Sequence, residues 1–186
     1  VGKKLAYAAG SMAFVILAMH RQTEWSKDEL IVYHTYTGII IDVSQGGNCM
    51  AILHGSLTKD QVDFAARGYR CRRDFINIVP ASSSEHLIFQ KIKLENTMLT
   101  LPLSSLSIFN NGSAHACAPE DHSWLLVQQA DSIGVLQHIL CRSPDLRVIL
   151  PASIPRPSKR KLTRLLNEQG IWYYDIDQSG YFRLDL

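Results

Sequence analysis

The chain has 186 residues, 46% of them apolar and 19% charged, which supplies one core of ordinary size with an appended element and excludes disordered, collagenous and disulfide-miniprotein classes. Its 19 Lys and Arg against 17 Asp and Glu leave a net charge of +2, so any nucleic-acid role has to come from local clustering rather than bulk electrostatics. Cys49, Cys71, Cys117 and Cys141 stand far apart without a C-x-x-C pair, which excludes a zinc ribbon or thioredoxin-type motif and leaves them as small core hydrophobes.

The chain opens on Val1, and a 15-residue uncharged stretch, Leu5 to Met19, follows between Lys3-Lys4 and His20-Arg21, which gives it the look of a piece of something longer. A spanning helix takes about 20 apolar residues, range about 17 to 25, and lysine stems extend a short run by snorkelling. We therefore expect a transmembrane helix and linker over 1–28 and a soluble domain over 29–186. The alternatives are a signal peptide, for which Ala18-Met19-His20-Arg21-Gln22 offers a poor cleavage site, and a buried amphipathic helix. Lys3 and Lys4 on one flank balance Arg21 and Lys27 on the other, so the charges do not set an orientation.

After Asp28 the pattern turns to strands. The runs 29–34 and 38–43 are β-branched, and Gln45-Gly46-Gly47-Asn48 supplies a hairpin turn before a third strand over 49–53. Thr58-Lys-Asp-Gln61 has the spacing of a capping box and Gly68 suits a C-terminal stop, which predicts a helix over 58–67 with Val62, Ala65 and Ala66 inward. Strand candidates follow at 75–79, 87–94, 97–101 and 106–109, forming an antiparallel sheet, and the polar stretch 110–123 reads as loop. The last third changes rhythm. Strands at 124–127 and 147–150 flank a helical stripe of Ile133, Leu136 and Leu140, and a second helix over 158–169 carries Leu162, Leu165 and Leu166 and ends at Gly170. Strands over 171–176 and 181–184 then surround a Gln178-Ser179-Gly180 turn. A strand meander followed by βαβαβ predicts an α+β (αββα-like) chain: two mixed sheets, each covering a face of the other, with helices outside.

A membrane helix leading into Glu29-Leu-Ile-Val-Tyr-His34, Gly38-Ile-Ile-Ile-Asp-Val43 and the strand from Gly47 to Leu53, and closing on Val148-Ile-Leu-Pro151, Leu162, Leu165-Leu166 and Gly170-Ile-Trp-Tyr-Tyr-Asp-Ile-Asp-Gln-Ser-Gly180, resembles the C-terminal part of ComEC-type competence proteins. The resemblance runs over most of residues 5–186 and rests on pattern and order. It implies a bacterial inner-membrane DNA-uptake channel drawing in single-stranded DNA, with a last soluble domain of metallo-β-lactamase-like fold on the extracytoplasmic side. The DNA, the membrane and the channel portion of the same longer protein are the partners it implies.

Active members of that fold carry H-x-H-x-D-H after an early strand, because a binuclear metal site needs imidazole and carboxylate ligands converging at a strand end. Here the block is Ile78-Val79-Pro80-Ala81-Ser82-Ser83-Ser84-Glu85-His86, with Ala81 and Ser83 in the places of the first two histidines. Gln128-Gln129-Ala130 stands where a Gly-Asp ligand belongs, and Pro155-Arg156-Pro157 where a late Gly-His-Pro belongs. The expected domain is thus a degenerate, metal-free version of the fold, with no cofactor and no catalytic residues. Ligand-type side chains do crowd His115-Ala-Cys117-Ala-Pro-Glu120-Asp121-His122, but the spacing fits no tetrahedral finger and the plain reading is a polar loop. No G-x-S-x-G, Walker A or G-x-G-x-x-G occurs, so a serine hydrolase, an NTPase and a dinucleotide enzyme have no support.

Basic clusters fit a DNA partner best. Arg67, Arg70, Arg72 and Arg73 surround Tyr69, and Arg156, Lys159, Arg160, Lys161 and Arg164 crowd the second helix, together nine of the 19 Lys and Arg. The plain reading is a solvated helix face; the functional one is a phosphate-tracking surface with Tyr69 as a stacking platform. Trp172 and Tyr174 are expected to pack inward. Three functional readings follow: a silent DNA-binding, DNA-guiding or channel-supporting domain, a metal-dependent phosphodiesterase with ligands relocated around Glu85, His86, His115, Asp121 and His122, and an anchored interaction domain unrelated to DNA.

Overall fold

The computed structural model describes residues 10–19, 22, 27–73, 75, 77–82, 87–89, 92–95, 98–101, 105–109, 123–128, 137, 139, 140 and 145–186. Residues 10–19 form helix α1, which carries Met12, Phe14, Val15, Ile16, Leu17 and Met19 exposed. Among the described residues no helix is long and apolar enough to cross a membrane.

The second hairpin is set by its two-residue tip. Strands β1 (Glu29–Tyr33), β2 (Gly38–Gln45) and β3 (Asn48–Gly55) form an antiparallel meander, and the β2–β3 register pairs Gln45 with Asn48. Gly46 and Gly47 have φ of 56° and 81°, the left-handed pair that a tight hairpin turn with the twist of its strands requires. Helix α2 (Lys59–Arg73) starts at the expected capping box: Gln61 N donates to Thr58 Oγ1 at 3.3 Å and Thr58 N donates to Gln61 Oε1 at 2.9 Å. It does not stop at Gly68. The helix runs six residues further than expected because Tyr69, Arg70 and Arg73 all find partners on the sheet below, and that anchoring outweighs the propensity cost of one glycine.

Past α2 the chain crosses back to β4 (Asn77–Ser82), which pairs parallel to β3 and not in the antiparallel manner expected of this stretch. Pro80 lacks an N–H, which suits β4 to its place at the sheet edge. Strands β5 (Leu87–Phe89), β6 (Ile92–Glu95), β7 (Met98–Thr100) and β8 (Ser105–Phe109) are antiparallel neighbours as expected, with the predicted 87–94 run split into two short strands. Strands β9 (Ser123–Val127), β10 (Arg147–Leu150) and β11 (Tyr173–Asp175) then add in parallel. Of the predicted stripe before β10, Leu140 is described and buried, whereas Ile133 and Leu136 lie outside the described residues, as does 110–122.

Helix α3 (Arg156–Glu168) ends in a Schellman closure on Gly170, whose φ is 68°: Gly170 N donates to Asn167 O at 3.2 Å and Ile171 N to Leu166 O at 2.9 Å. The strand predicted over 171–176 is shorter, because Asp175 accepts from Asp177 N at 3.0 Å and caps a helical turn, α4 (Ile176–Ser179). Strand β12 (Tyr181–Asp185) closes the first sheet against β1.

The result is α+β with two mixed sheets, ordered β12-β1-β2-β3-β4 and β11-β10-β9-β8-β7-β6-β5. Period-two alternation assigns the faces. Leu30, Val32, Ile41, Met50 and Ile52 of one sheet pack against Leu99, Leu106, Ile108, Leu126 and Ile149 of the other. The next residues along, Ile31, Tyr33 and Ile40, pack outward on Val62 and Ala66 of α2. Leu125, Val127, Val148 and Leu150 pack outward on Leu162 and Leu166 of α3. The two helices therefore cover opposite outer faces of the two-sheet sandwich. Tyr174 packs against the central core as expected, but Trp172 is 52% exposed: it precedes β11 and meets Trp124 edge-on at 5.7 Å.

Candidate nucleic-acid interface

The stripe of α2 that faces the sheet is apolar at Val62 and Ala66 and becomes polar at Tyr69, Arg70 and Arg73. The sheet matches it in kind. Asp42 of β2, 1% exposed, accepts from Arg70 Nε at 2.7 Å and Arg70 Nη2 at 2.6 Å, and from Tyr33 Oη at 2.8 Å. Glu29 of β1, equally buried, takes Arg73 Nη2 at 2.6 Å, Arg183 Nε of β12 at 2.6 Å and the Tyr69 hydroxyl. Arg73 also donates to the Lys27 carbonyl at 2.7 Å. Burial pushes the Tyr33 and Cys49 acids up, and the Asp42 charge pushes them the same way. Burial also raises the Tyr69 phenol, with its hydrogen bond to Glu29 adding to the shift.

These partners divide the candidate residues into two kinds. Arg70 and Arg73 are neutralised beneath α2 and hold the helix to the sheet, so neither reaches a phosphate from solvent. Tyr69 is half-buried, with its hydroxyl bound to Glu29 and its ring held against Tyr33 and Phe75 at 6.3 and 6.0 Å. Arg67 and Arg72 remain exposed on α2.

On α3 the same division holds. Lys159 sits at i, i+3 and i+7 with Leu162 and Leu166, and is buried with its Nζ 2.6 Å from Asp175 Oδ1 and 3.6 Å from Asp177 Oδ2. Asp177 reaches on to His34 Nε2 at 3.2 Å, and that hydrogen bond holds its carboxyl below the ordinary value. Lys159 thus ties α3 to the end of β11, and it too leaves the interface. Arg156, Arg160, Lys161 and Arg164 are exposed, and the first turn of α3 contains no acidic residue. Arg164 meets Glu168 at 2.7 Å one turn on, a solvent-exposed i,i+4 pair of small strength that a phosphate can displace.

The structure also separates what the sequence grouped together. Because α2 and α3 cover opposite faces, Arg67 and Arg72 cannot act on the same surface as the α3 cations. The candidate cations left exposed together are those of one helix: Arg156, Arg160, Lys161 and Arg164. The Lys159–Asp175–Asp177–His34 junction was missed in the sequence, although the place of Lys159 in the leucine stripe of α3 was the signal for it.

At the strand ends that concern a metal, Ala81 is buried on β4, Gln128 follows β9, and Pro151, Ala152 and Ser153 follow β10. Among the described residues no group of three or more His, Cys, Asp or Glu side chains is placed to hold a metal ion. Residues 83–86 and 115–122, with the ligand-type side chains Glu85, His86, His115, Asp121 and His122, lie outside the described residues. Comparison with protein-family models, with curated proteins and with solved structures returns no match.

Proposed function

We propose that residues 29–186 are the soluble, catalytically silent domain of a membrane DNA-uptake channel of the ComEC type, with a metallo-β-lactamase-like fold and residues 1–28 as membrane helix and linker. In this reading the domain lies against DNA on the extracytoplasmic side of a bacterial inner membrane. The observation that carries it is the exposed basic face of α3, four cations without an acidic residue in the first turn, on a helix whose opposite stripe is fixed in the core. Such a face tracks phosphates without reading bases. The exposed apolar side chains of α1 support the membrane side of the reading. Residue types support a domain without enzyme chemistry: alanine, serine, glutamine and proline occupy the places where the fold would need imidazole and carboxylate ligands.

The test is DNA binding by the whole chain across a salt titration. Log affinity is expected to fall linearly with log salt, and Arg160→Ala with Arg164→Ala to weaken binding at every salt concentration. No binding at low salt would overturn the proposal.

A further inference from the structure

A cleft of about 340 Å³ opens between α2 and the corner of the sheet where β1 ends and β12 begins, lined by Tyr33, His34, Phe64, Tyr69, Arg72 and Tyr181 among others. We propose that this cleft takes a base of a single-stranded nucleic acid, with Arg72 at its rim meeting the adjoining phosphate. The inference rests on the reading that the domain contacts DNA and adds a second, base-dependent site on the face opposite α3.

Three observations carry it. First, the walls are aromatic and held in place. The Tyr33 hydroxyl is bound by Asp42 at 2.8 Å and the Tyr69 hydroxyl by Glu29, and the two rings meet edge-to-face at 6.3 Å. Rings fixed before the ligand arrives cost less ordering when it binds. Second, the rim is exposed where folding gives no reason for it. Phe64 is 89% exposed and Tyr181 51%, and Tyr36, 70% exposed, packs its ring on His34 at 4.7 Å. Among the described residues beyond α1, the exposed aromatic side chains are Tyr36, Phe64, Trp172 and Tyr181; two of these four, Phe64 and Tyr181, line the cleft, and Tyr36 rests on His34, which lines it too. Third, a cationic group stands with the rings: Arg72, two turns on from Phe64 in α2, is exposed and lines the cleft with it, and single-strand sites combine such a charge with stacking surfaces.

The size of the cleft decides between nucleic-acid forms. It lies at the lower end of the range for small-ligand sites, about 300 to 1,000 Å³, which suits one unpaired base with its sugar and excludes a duplex. Every base offers a π face, so the preference is for unpaired bases in general and not for a sequence.

The test compares a thymidine oligonucleotide of about 12 residues with an abasic strand of equal length and charge, binding the 186-residue chain in detergent at low salt. The base-bearing strand is expected to bind about tenfold tighter. Phe64→Ala with Tyr181→Ala, both at exposed positions, is expected to erase that ratio while leaving abasic-strand affinity intact. Arg160→Ala with Arg164→Ala is expected to weaken both strands alike and keep the ratio. Equal affinities for the two strands, or a ratio that survives the aromatic double substitution, would overturn the base site and leave backbone binding by α3 standing; the exposed rings would then belong to a protein contact. Failure of both strands to bind would remove the DNA reading and this inference together.

Discussion

Arg70 and Asp42 meet in a two-pronged ion pair between α2 and β2, Nε 2.7 Å from Oδ2 and Nη2 2.6 Å from Oδ1, with the carboxylate side chain 1% exposed. Arg70 is thus a structural residue: it satisfies a charge that β2 buries, together with the Tyr33 hydroxyl on the same carboxylate. The pair locks the last turns of α2 over the sheet.

Removing one partner of such a pair leaves the other charge buried and uncompensated, which costs about 3 to 5 kcal/mol. Asp42→Ala is therefore expected to lower unfolding free energy by about that much in urea titrations. Arg70→Met with Asp42→Leu, which removes both charges and keeps volume, is expected to recover most of the loss. A cost below about 1 kcal/mol for Asp42→Ala would show the pair to be solvated.

How much of this the sequence carried depends on what each residue answers to. The Gly46-Gly47 hairpin, the Thr58–Gln61 capping box and the Gly170 stop were legible because each is local chemistry decided by neighbours in the chain. The end of α2 was not, because the reason for continuing past Gly68 lies on strands 28 and 44 positions away, at Asp42 and Glu29. The same cause explains the candidate interface. Counting Arg and Lys by proximity grouped half-buried Arg70 and buried Arg73 and Lys159 with exposed Arg67, Arg160, Lys161 and Arg164. Helical phase with Val62 and Ala66, or with Leu162 and Leu166, separates most of them, once the true helix length is known. That α2 and α3 lie on opposite faces is a property of sheet order and has no local sign in the chain.

Alkaline pH should destabilise the domain. Tyr33, Tyr69 and Cys49 are all raised above their ordinary values of 10.0, 10.0 and 9.0, by burial first and then by Asp42 for Tyr33 and Cys49 and the bond to Glu29 for Tyr69. Each stays protonated in the folded chain while the unfolded chain releases its proton, so stability is fully present below the unfolded values and is lost as pH rises through the folded ones. The urea midpoint is expected to decline from about pH 9 upwards, and Tyr33→Phe to shallow that decline. A midpoint flat to about pH 11 would contradict the buried acid cluster.

Gly38 opens β2 where the chain has no room. A Cβ there would stand 2.5 Å from the His54 carbonyl oxygen and 2.8 Å from Leu57 Cγ. The leucine can shift, but the carbonyl belongs to the paired strand β3, where Ile39 lies opposite His54. Gly38→Ala is expected to cost about 1 to 3 kcal/mol through strain at this end of the sheet, with the cooperativity of unfolding unchanged. Gly46→Ala makes the control, since it meets open space and suffers only from its φ of 56°. A thermal scan giving equal losses for the two would remove the steric argument.

Lys159 and Arg160 are adjacent on α3 and should answer to different assays. Lys159 is buried against Asp175, whereas Arg160 is exposed. Lys159→Met strips the carboxylate of its cation at the junction of α3, β11 and α4, and is expected to lower stability by about 2 to 3 kcal/mol with the salt slope of DNA binding unchanged. Arg160→Ala removes a charge that touches only solvent. It is expected to leave stability within about 0.5 kcal/mol and to reduce the magnitude of the salt slope by about 1, the change for one lost phosphate contact. Measuring both quantities on both variants crosses the two roles. A salt slope that moves with Lys159 and not with Arg160 would mean that the buried junction opens when DNA binds, and would shift the interface from the outer face of α3 to its contact with β11.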